Sequence, residues 1–240
     1  ELVNSTGLVI VNVAYRNRER YPGIQNIYYE GFFGDAGFFG QGLLQGVALM
    51  VQNPHTGHIV PNPPNSPHNS HPTKAKPLFS FDTRDSLQRR AMMQFIENEI
   101  PPGYIVGLLA LHAWNDTLGY APRRWASDSV TYGKNLFQVL ENQGAVKVRS
   151  LTDYTEGPHP YGFIFQKNNP AFGAIDTVVY HIDSVVNIRR TFQAKWSVGQ
   201  FETQPLGPAK AWKRLLWQPG AFDDPSDRAR LSVLGLREGQ

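Results

Sequence analysis

Residues 104–114 read YIVGLLALHAW. Apolar residues follow one another almost without interruption. A strand with one wet face alternates apolar and polar residues, whereas this run does not, so it is a strand covered on both faces. The stretch before it is the clearest helix of the chain. Asp85 stands at its N-cap and Gln88 lies three residues on, the spacing of a capping box. Leu87, Ala91 and Phe95, with the neighbours Met92 and Ile96, recur at helical spacing, and Arg89, Arg90, Glu97 and Asn98 are expected on the wet face. Pro101-Pro102-Gly103 ends the helix.

Further upstream, GVALMVQN (46–53) and PLFSFDT (77–83) are predicted strands. In the second, Leu78, Ser80 and Asp82 share one face and Phe79 and Phe81 the other. LVIVNVAY (8–15) and IQNIYYEGFF (24–33) also read as strands. Downstream, a second helix is predicted from about Asp128 to Asn142, with Tyr132, Leu136, Val139 and Leu140 as its stripe and Gly144 as its stop. KVRSL (147–151) and YGFIFQK (161–167) are predicted strands around the loop TDYTEGPHP. After residue 173 the pattern alternates, through to RLSVLGL at 230–236. The class expected is α+β, mainly β: a β-sandwich with two packed helices, followed by strands of a second β-sandwich. The expected organisation is an N-terminal strand segment at 1–23, a central domain at 24–173 and a C-terminal β-sandwich segment at 174–240, cut within a domain. Whether the two outer segments join each other is left open.

Composition narrows the function. The chain has 240 residues, 41% hydrophobic and 12% aromatic, with 22 glycines and 18 prolines, which suits short strands and many turns. It has no cysteine, which removes disulfides, zinc–thiolate sites and a cysteine nucleophile. The net charge is only +3 and the basic residues are dispersed, so nucleic acid is not the expected partner. No apolar run is long enough for a membrane helix, and ELVNSTGLVIVN lacks the layout of a signal peptide.

One loop raises the question of a metal. Residues 53–77, NPHTGHIVPNPPNSPHNSHPTKAKP, hold four of the seven histidines, as His55-x-x-His58 and His68-x-x-His71. Seven prolines exclude a helix there, and the loop has no Cys, Asp or Glu to complete a ligand shell. A solvated loop is therefore expected, with Asn53-Pro54-His55-Thr56-Gly57 closing a hairpin. Asp82, Asp85, Glu97 and Glu99 cluster in sequence, but capping and solvation account for them. Asp223, Asp224 and Asp227 form an acidic loop suited to Ca²⁺, without EF-hand spacing. The motifs G-x-S-x-G, G-x-x-x-x-G-K-[ST] and G-x-G-x-x-G are all absent. No catalytic residue is assigned.

The order GVALMVQNPHTGHIV, FSFDT, a helix ending in IPPGYIVGLLAL, a helix ending in LENQG, then YGFIFQK resembles the interleukin-like EMT inducer domain over about residues 24–168. Its most specific parts are Asn53 with Thr56-Gly57-His58, Phe81-Asp82-Thr83, Pro102-Gly103 and Phe163 to Lys167. The same fold occurs in cytokine-like proteins and in the stem domain of protein O-mannose N-acetylglucosaminyltransferase. The resemblance implies a small, non-enzymatic β-sandwich with packed helices. In that stem the fold binds a β-linked GlcNAc through two arginines and an aspartate. By motif these fall at Gln45, near His112 and near Pro158 or His159, so none is retained. Gln45, His112, Trp114, His159 and Tyr161 are left as candidates for a polar ligand pocket. SVGQFETQPLGPAKAWKRLLW resembles β-sandwich segments of large Bacteroidota surface proteins, and the combination is similar to accessory regions of PorU-like type IX secretion sortases.

The function expected is that of a non-catalytic structural or protein-interaction module of an exported bacterial cell-surface protein. Its partners would be neighbouring domains or subunits. The alternative is a carbohydrate-binding, lectin-like module. A metal-dependent enzyme using His55, His58, His68 and His71 is the outsider. No cofactor is expected, apart from Ca²⁺ at the acidic loop.

Overall fold

A computed structural model describes residues 3–13, 26–30, 46–55, 57–69, 77–111, 120–154, 159–180 and 185–195. They belong to a compact unit, Leu2–Val198; a second unit, 199–240 with Glu1, lies outside the described residues. Within the first unit the fold is mixed α/β. The strands are β1 (Val3–Val13), β2 (Asn26–Glu30), β3 (Gly46–Gln52), β4 (Leu78–Phe81), β5 (Ile105–Leu111), β6 (Tyr161–Gln166), β7 (Ile175–Val178) and β8 (Val185–Lys195). The helices are α1 (Ser86–Gln94), α2 (Asp128–Tyr132) and α3 (Leu136–Glu141). No helix among the described residues is long and apolar enough to cross a membrane.

Five strands make one antiparallel sheet in the order β4-β3-β5-β6-β7. The stretch YIVGLLALHAW supplies β5, its centre. Val106, Leu108 and Ala110 turn towards the helices, where they join Met92, Met93, Ile96, Leu136, Val139 and Leu140. Ile105 and Leu109 turn the other way, into a second cluster with Leu8, Ile10 and Ile188. Those three belong to a second antiparallel sheet, ordered β2-β1-β8. The same division holds on β3 and β6: Val47, Leu49, Phe163 and Phe165 face the helices, while Ala48, Met50 and Ile164 face the second sheet. This two-sided burial is why these strands lack polar alternation.

Strand pairing crosses both expected boundaries, at 23 and at 173. β7 extends the five-stranded sheet by pairing with β6, and β8 pairs with β1 from Val3↔Lys195 to Val13↔Val185. One described strand from each outer segment, β1 and β8, thus pairs with the other. The sheets approach closely at Gly162, where a Cβ would lie 3.0 Å from both Ile10 Cγ2 and Val186 Cγ1. Gly162→Ala is expected to lower stability by about 1–3 kcal/mol, the usual cost of overpacking. Urea denaturation checks this, and an unchanged midpoint would mean the sheets yield easily.

The helices depart from expectation in part. In α1, Leu87 is 64% exposed while Arg89 is only 3% exposed. Met92, Phe95 and Ile96 are buried as expected and Ala91 packs half-buried against the core, but Arg89 and Met93 complete the stripe in place of Leu87. Arg89 goes inside because Asp128 meets it there, with Nε donating to Oδ2 at 2.5 Å and Nη2 to Oδ1 at 2.7 Å. Its Nη1 donates to Thr83 O at 2.9 Å and Arg84 O at 3.1 Å. Asp85 caps α1 through Leu87 N at 3.0 Å, but its own N–H goes to Asp82 O at 3.0 Å rather than to Gln88. The helix then widens into a π-helical turn, Phe95–Glu99.

The single helix expected at 128–142 is two. α2 stops at Gly133, whose φ is 73°, and α3 restarts from Asn135. The capping box forms here: Gln138 N donates to Asn135 Oδ1 at 3.1 Å, and Asn135 N to Gln138 Oε1 at 2.9 Å. KVRSL is not a strand either. Val148–Thr152 is a 3-10 turn that buries Val148 and Leu151, three residues apart, which is the period of that turn. The Asp176 carboxylate holds its start, accepting from Val146 N at 3.0 Å and Lys147 N at 2.6 Å.

Candidate functional site

The hairpin predicted from Asn53 to Gly57 is present. Gly57 N donates to Asn53 O at 2.8 Å and Asn53 N to His58 O at 2.9 Å, with Gly57 at a φ of 70°. His55 and His58 are exposed on it. His68 lies elsewhere in the loop, its ring centroid 4.3 Å from that of Phe81 and 5.9 Å from that of Phe95. His71 lies outside the described residues, as do Gln45, His112, Trp114, Asp223, Asp224 and Asp227. Among the described residues no group of three or more His, Asp or Glu is placed to hold a metal ion.

The carboxylates around α1 have structural tasks. Arg84 donates twice to Asp82, at 2.8 and 2.6 Å, and these bonds hold the Asp82 carboxyl below its usual range. Glu97 pairs with Lys134. Lys167 is 3% exposed and donates to Ile96 O and, at 3.0 Å, to Glu97 O. Burial pushes its ammonium pKa down, and Glu97 pulls the other way. A cation at the end of the α1–π helix also complements the helix dipole.

Of the two described pocket candidates, Tyr161 is core. It opens β6 on the helix side, is 0% exposed, and stacks on Phe163 with centroids 6.3 Å apart. Its hydroxyl lies 3.4 Å from Asp176 Oδ2, and burial pushes the phenol pKa well up, with Asp176 and Tyr120 adding to the shift. It forms no wall of a surface pocket. The period-2 alternation of YGFIFQK carries this information, since Tyr161 shares a face with Phe163 and Phe165.

His159 is the candidate that meets other rings. Its backbone carbonyl accepts from the buried Tyr120 hydroxyl at 2.6 Å. Its Nε2 is 2.8 Å from Asp153 O, a carbonyl that only accepts, so Nε2 carries the proton. The ring stands edge-on to Tyr180, with centroids 4.9 Å apart, and to Tyr154 at 6.3 Å. Tyr180 is 58% exposed and donates to Ser150 Oγ at 2.7 Å. Arg123 lies 4.0 Å above the Tyr154 ring and donates to Thr152 O at 3.0 Å and to Tyr154 O. Burial raises the Tyr154 phenol pKa, while Arg123 and Arg124 lower it.

The 3-10 turns Pro122–Ser127 and Val148–Thr152, the start of β6 and the end of β7 thus meet at one patch of the surface. It offers aromatic edges, a guanidinium and hydroxyls, and the Asp153 carboxylate accepts from Thr152 Oγ1 at 3.3 Å. Such a patch is suited to binding by stacking and hydrogen bonding. Sequence reasoning singled out His159 but missed Arg123, Tyr154 and Tyr180. Arg123 and Tyr154 are 31 positions apart and no local pattern links them.

No family model matches the chain, and no curated protein matches it.

Proposed function

We propose that this chain is a non-catalytic protein-interaction module that docks a partner on the Arg123–Tyr154–His159–Tyr180 surface. One observation carries the reading. The Tyr180 ring is exposed beside the His159 ring, and Arg123 and the Asp153 carbonyl fix the rings beneath it. Rigid aromatic side chains with an adjacent arginine are the residue types that dominate protein interfaces. The buried charged groups add support from inside. Arg89, Asp128, Lys167 and Asp176 are each committed to holding one element against another. In this reading the two sheets and their helices form a β-sandwich of the interleukin-like EMT inducer type, in an exported bacterial surface protein whose neighbouring domains or subunits supply the partner.

The second reading, a carbohydrate-binding module, is favoured by the exposed Tyr180 ring with hydroxyls at hand, since sugars also stack on such rings. Two measurements separate the readings. A photo-crosslinking residue at position 180, in the native host, is expected to capture one defined protein. The same residue at Val130, 92% exposed on α2, is not. Tyr180→Ala in the purified chain should weaken binding to that protein about ten- to a hundredfold, the size of a hot-spot loss. Equal capture from both positions would sink the interaction reading. Binding on a glycan array that Tyr180→Ala abolishes would put the sugar reading in its place.

A further inference from the structure

β4 is an edge strand of the five-stranded sheet, and an open edge is a template for unwanted pairing. Phe79 and Phe81 pair inward with Leu49 and Val47, so the backbone groups of Leu78 and Ser80 point outward. The proline-rich loop occupies that edge. Ser80 N donates to His68 O at 2.9 Å. Asn62, fully buried, donates from Nδ2 to Leu78 O at 2.9 Å and to His68 O at 2.8 Å. A side-chain amide and a loop carbonyl thus stand in for a sixth strand. Asn69 closes the strap on itself through Nδ2 to Asn62 O and Pro63 O, at 3.1 and 2.8 Å.

What pins the strap is the His68 ring on Phe81 and Phe95, themselves 5.6 Å apart. Its Nδ1 is buried with no hydrogen-bond partner. Residues 59–69 contain no Asp, Glu, Lys or Arg, and the rings beneath are phenylalanines. Among the described residues the charged group acting on His68 from the elements packed against it is Glu99, at the exposed end of the π-helical turn. Among the described residues Nδ1 has no acceptor for the second N–H that protonation would add. We propose that the 59–69 strap is a pH-operated guard of the β4 edge, docked while His68 is neutral and released when it is protonated. Release uncovers Leu78 O and Ser80 N–H.

The direction follows from linkage. Burial lowers the His68 pKa from its ordinary 6.5, outweighing the upward pull of Glu99. The released strap therefore takes up the proton more readily than the docked one. Docking is fully favoured above 6.5 and weakens as pH falls from there to the depressed value.

Amide hydrogen exchange on the whole chain tests this, between about pH 7.5 and about pH 5, the range in which histidine charges. The protection factor of Ser80 N–H is expected to fall about tenfold for each unit by which the docked pKa lies below the free one. Leu108, in β5 at the centre of the sheet, should keep its protection. His68→Phe keeps a ring on Phe81 and cannot be protonated, so its Ser80 amide should stay protected at both ends of the range. Constant protection in the wild type, parallel loss at Leu108, or equal loss in His68→Phe would each overturn the proposal. Should His68→Phe not fold, the NMR titration of His68 in the wild type decides: a pKa at or above the ordinary value overturns it, and a depressed one with loss at Ser80 upholds it.

Discussion

Asp128→Ala is expected to lower stability by about 3–5 kcal/mol, the cost of removing one partner of a buried ion pair. Arg89 is the reason. Its side chain is 4% exposed and that of Asp128 is 3%, so the guanidinium left behind is buried away from water. The Arg89 bonds to Thr83 O and Arg84 O would remain, but both acceptors are neutral and offset little of a full charge. Thr83 in turn donates to Tyr120 O at 2.8 Å, as does the Trp125 indole at 3.1 Å, so loss of the pair loosens one connected group. Urea denaturation followed by tryptophan fluorescence measures the loss. The double variant Arg89→Met with Asp128→Leu is expected to lose clearly less than the single one, because no charge is stranded. A single-variant loss of no more than about 1 kcal/mol, as at a surface pair, would mean that water reaches the site.

The second large effect is expected at Gly46, where β3 begins. Its φ is +133°, and a Cβ there would lie 1.9 Å from Phe81 O and 2.9 Å from Asp82 Cα. The obstacles are backbone atoms, which cannot turn aside as a side chain can. Gly46→Ala combines backbone strain with overpacking, each costing about 1–3 kcal/mol. It also acts where β3 meets β4, at the pair Val47↔Phe81. We expect little folded protein at 37 °C, read by far-UV circular dichroism and solubility. A variant with wild-type melting behaviour would show that β4 shifts freely at this end. Alanine at Gly103 is the contrast: it too has a positive φ, +83°, but nothing lies within 4 Å of its added carbon, so only the strain term applies.

The central strand β5 was legible because burial on both faces leaves a plain mark: a continuous apolar run at 105–111, with Val106 facing one layer and Ile105 the other. The first turn of α1 was not legible, because Arg89 counts as polar until its partner 39 positions away is known. The break between α2 and α3 was written in Gly133 and in the Asn135–Gln138 spacing, but the apolar stripe on either side outweighed both. At the binding patch, His159 was found and its neighbours were not. Arg123 and Tyr154 come from separate 3-10 segments, and only the folded chain brings them together. Tyr161, named beside His159 as a pocket candidate, is core, its ring following the alternation of β6.

The pairing of β1 with β8 sets an order of events on the ribosome. Val3 meets Lys195 and Val13 meets Val185, so β1, which can pair early with β2, must wait for its second partner, made far later. Until then Leu8 and Ile10, which end fully buried, have no second strand from that side to hold them against the sheet. Contacts of such long sequence separation raise the contact order and slow folding. A nascent chain at this stage can assemble the hairpins around β3, β5 and β6, but carries an unfinished apolar face on the other side. The vulnerable period is the interval between the synthesis of β1 and that of β8, when a holdase that shields one greasy strand would matter most.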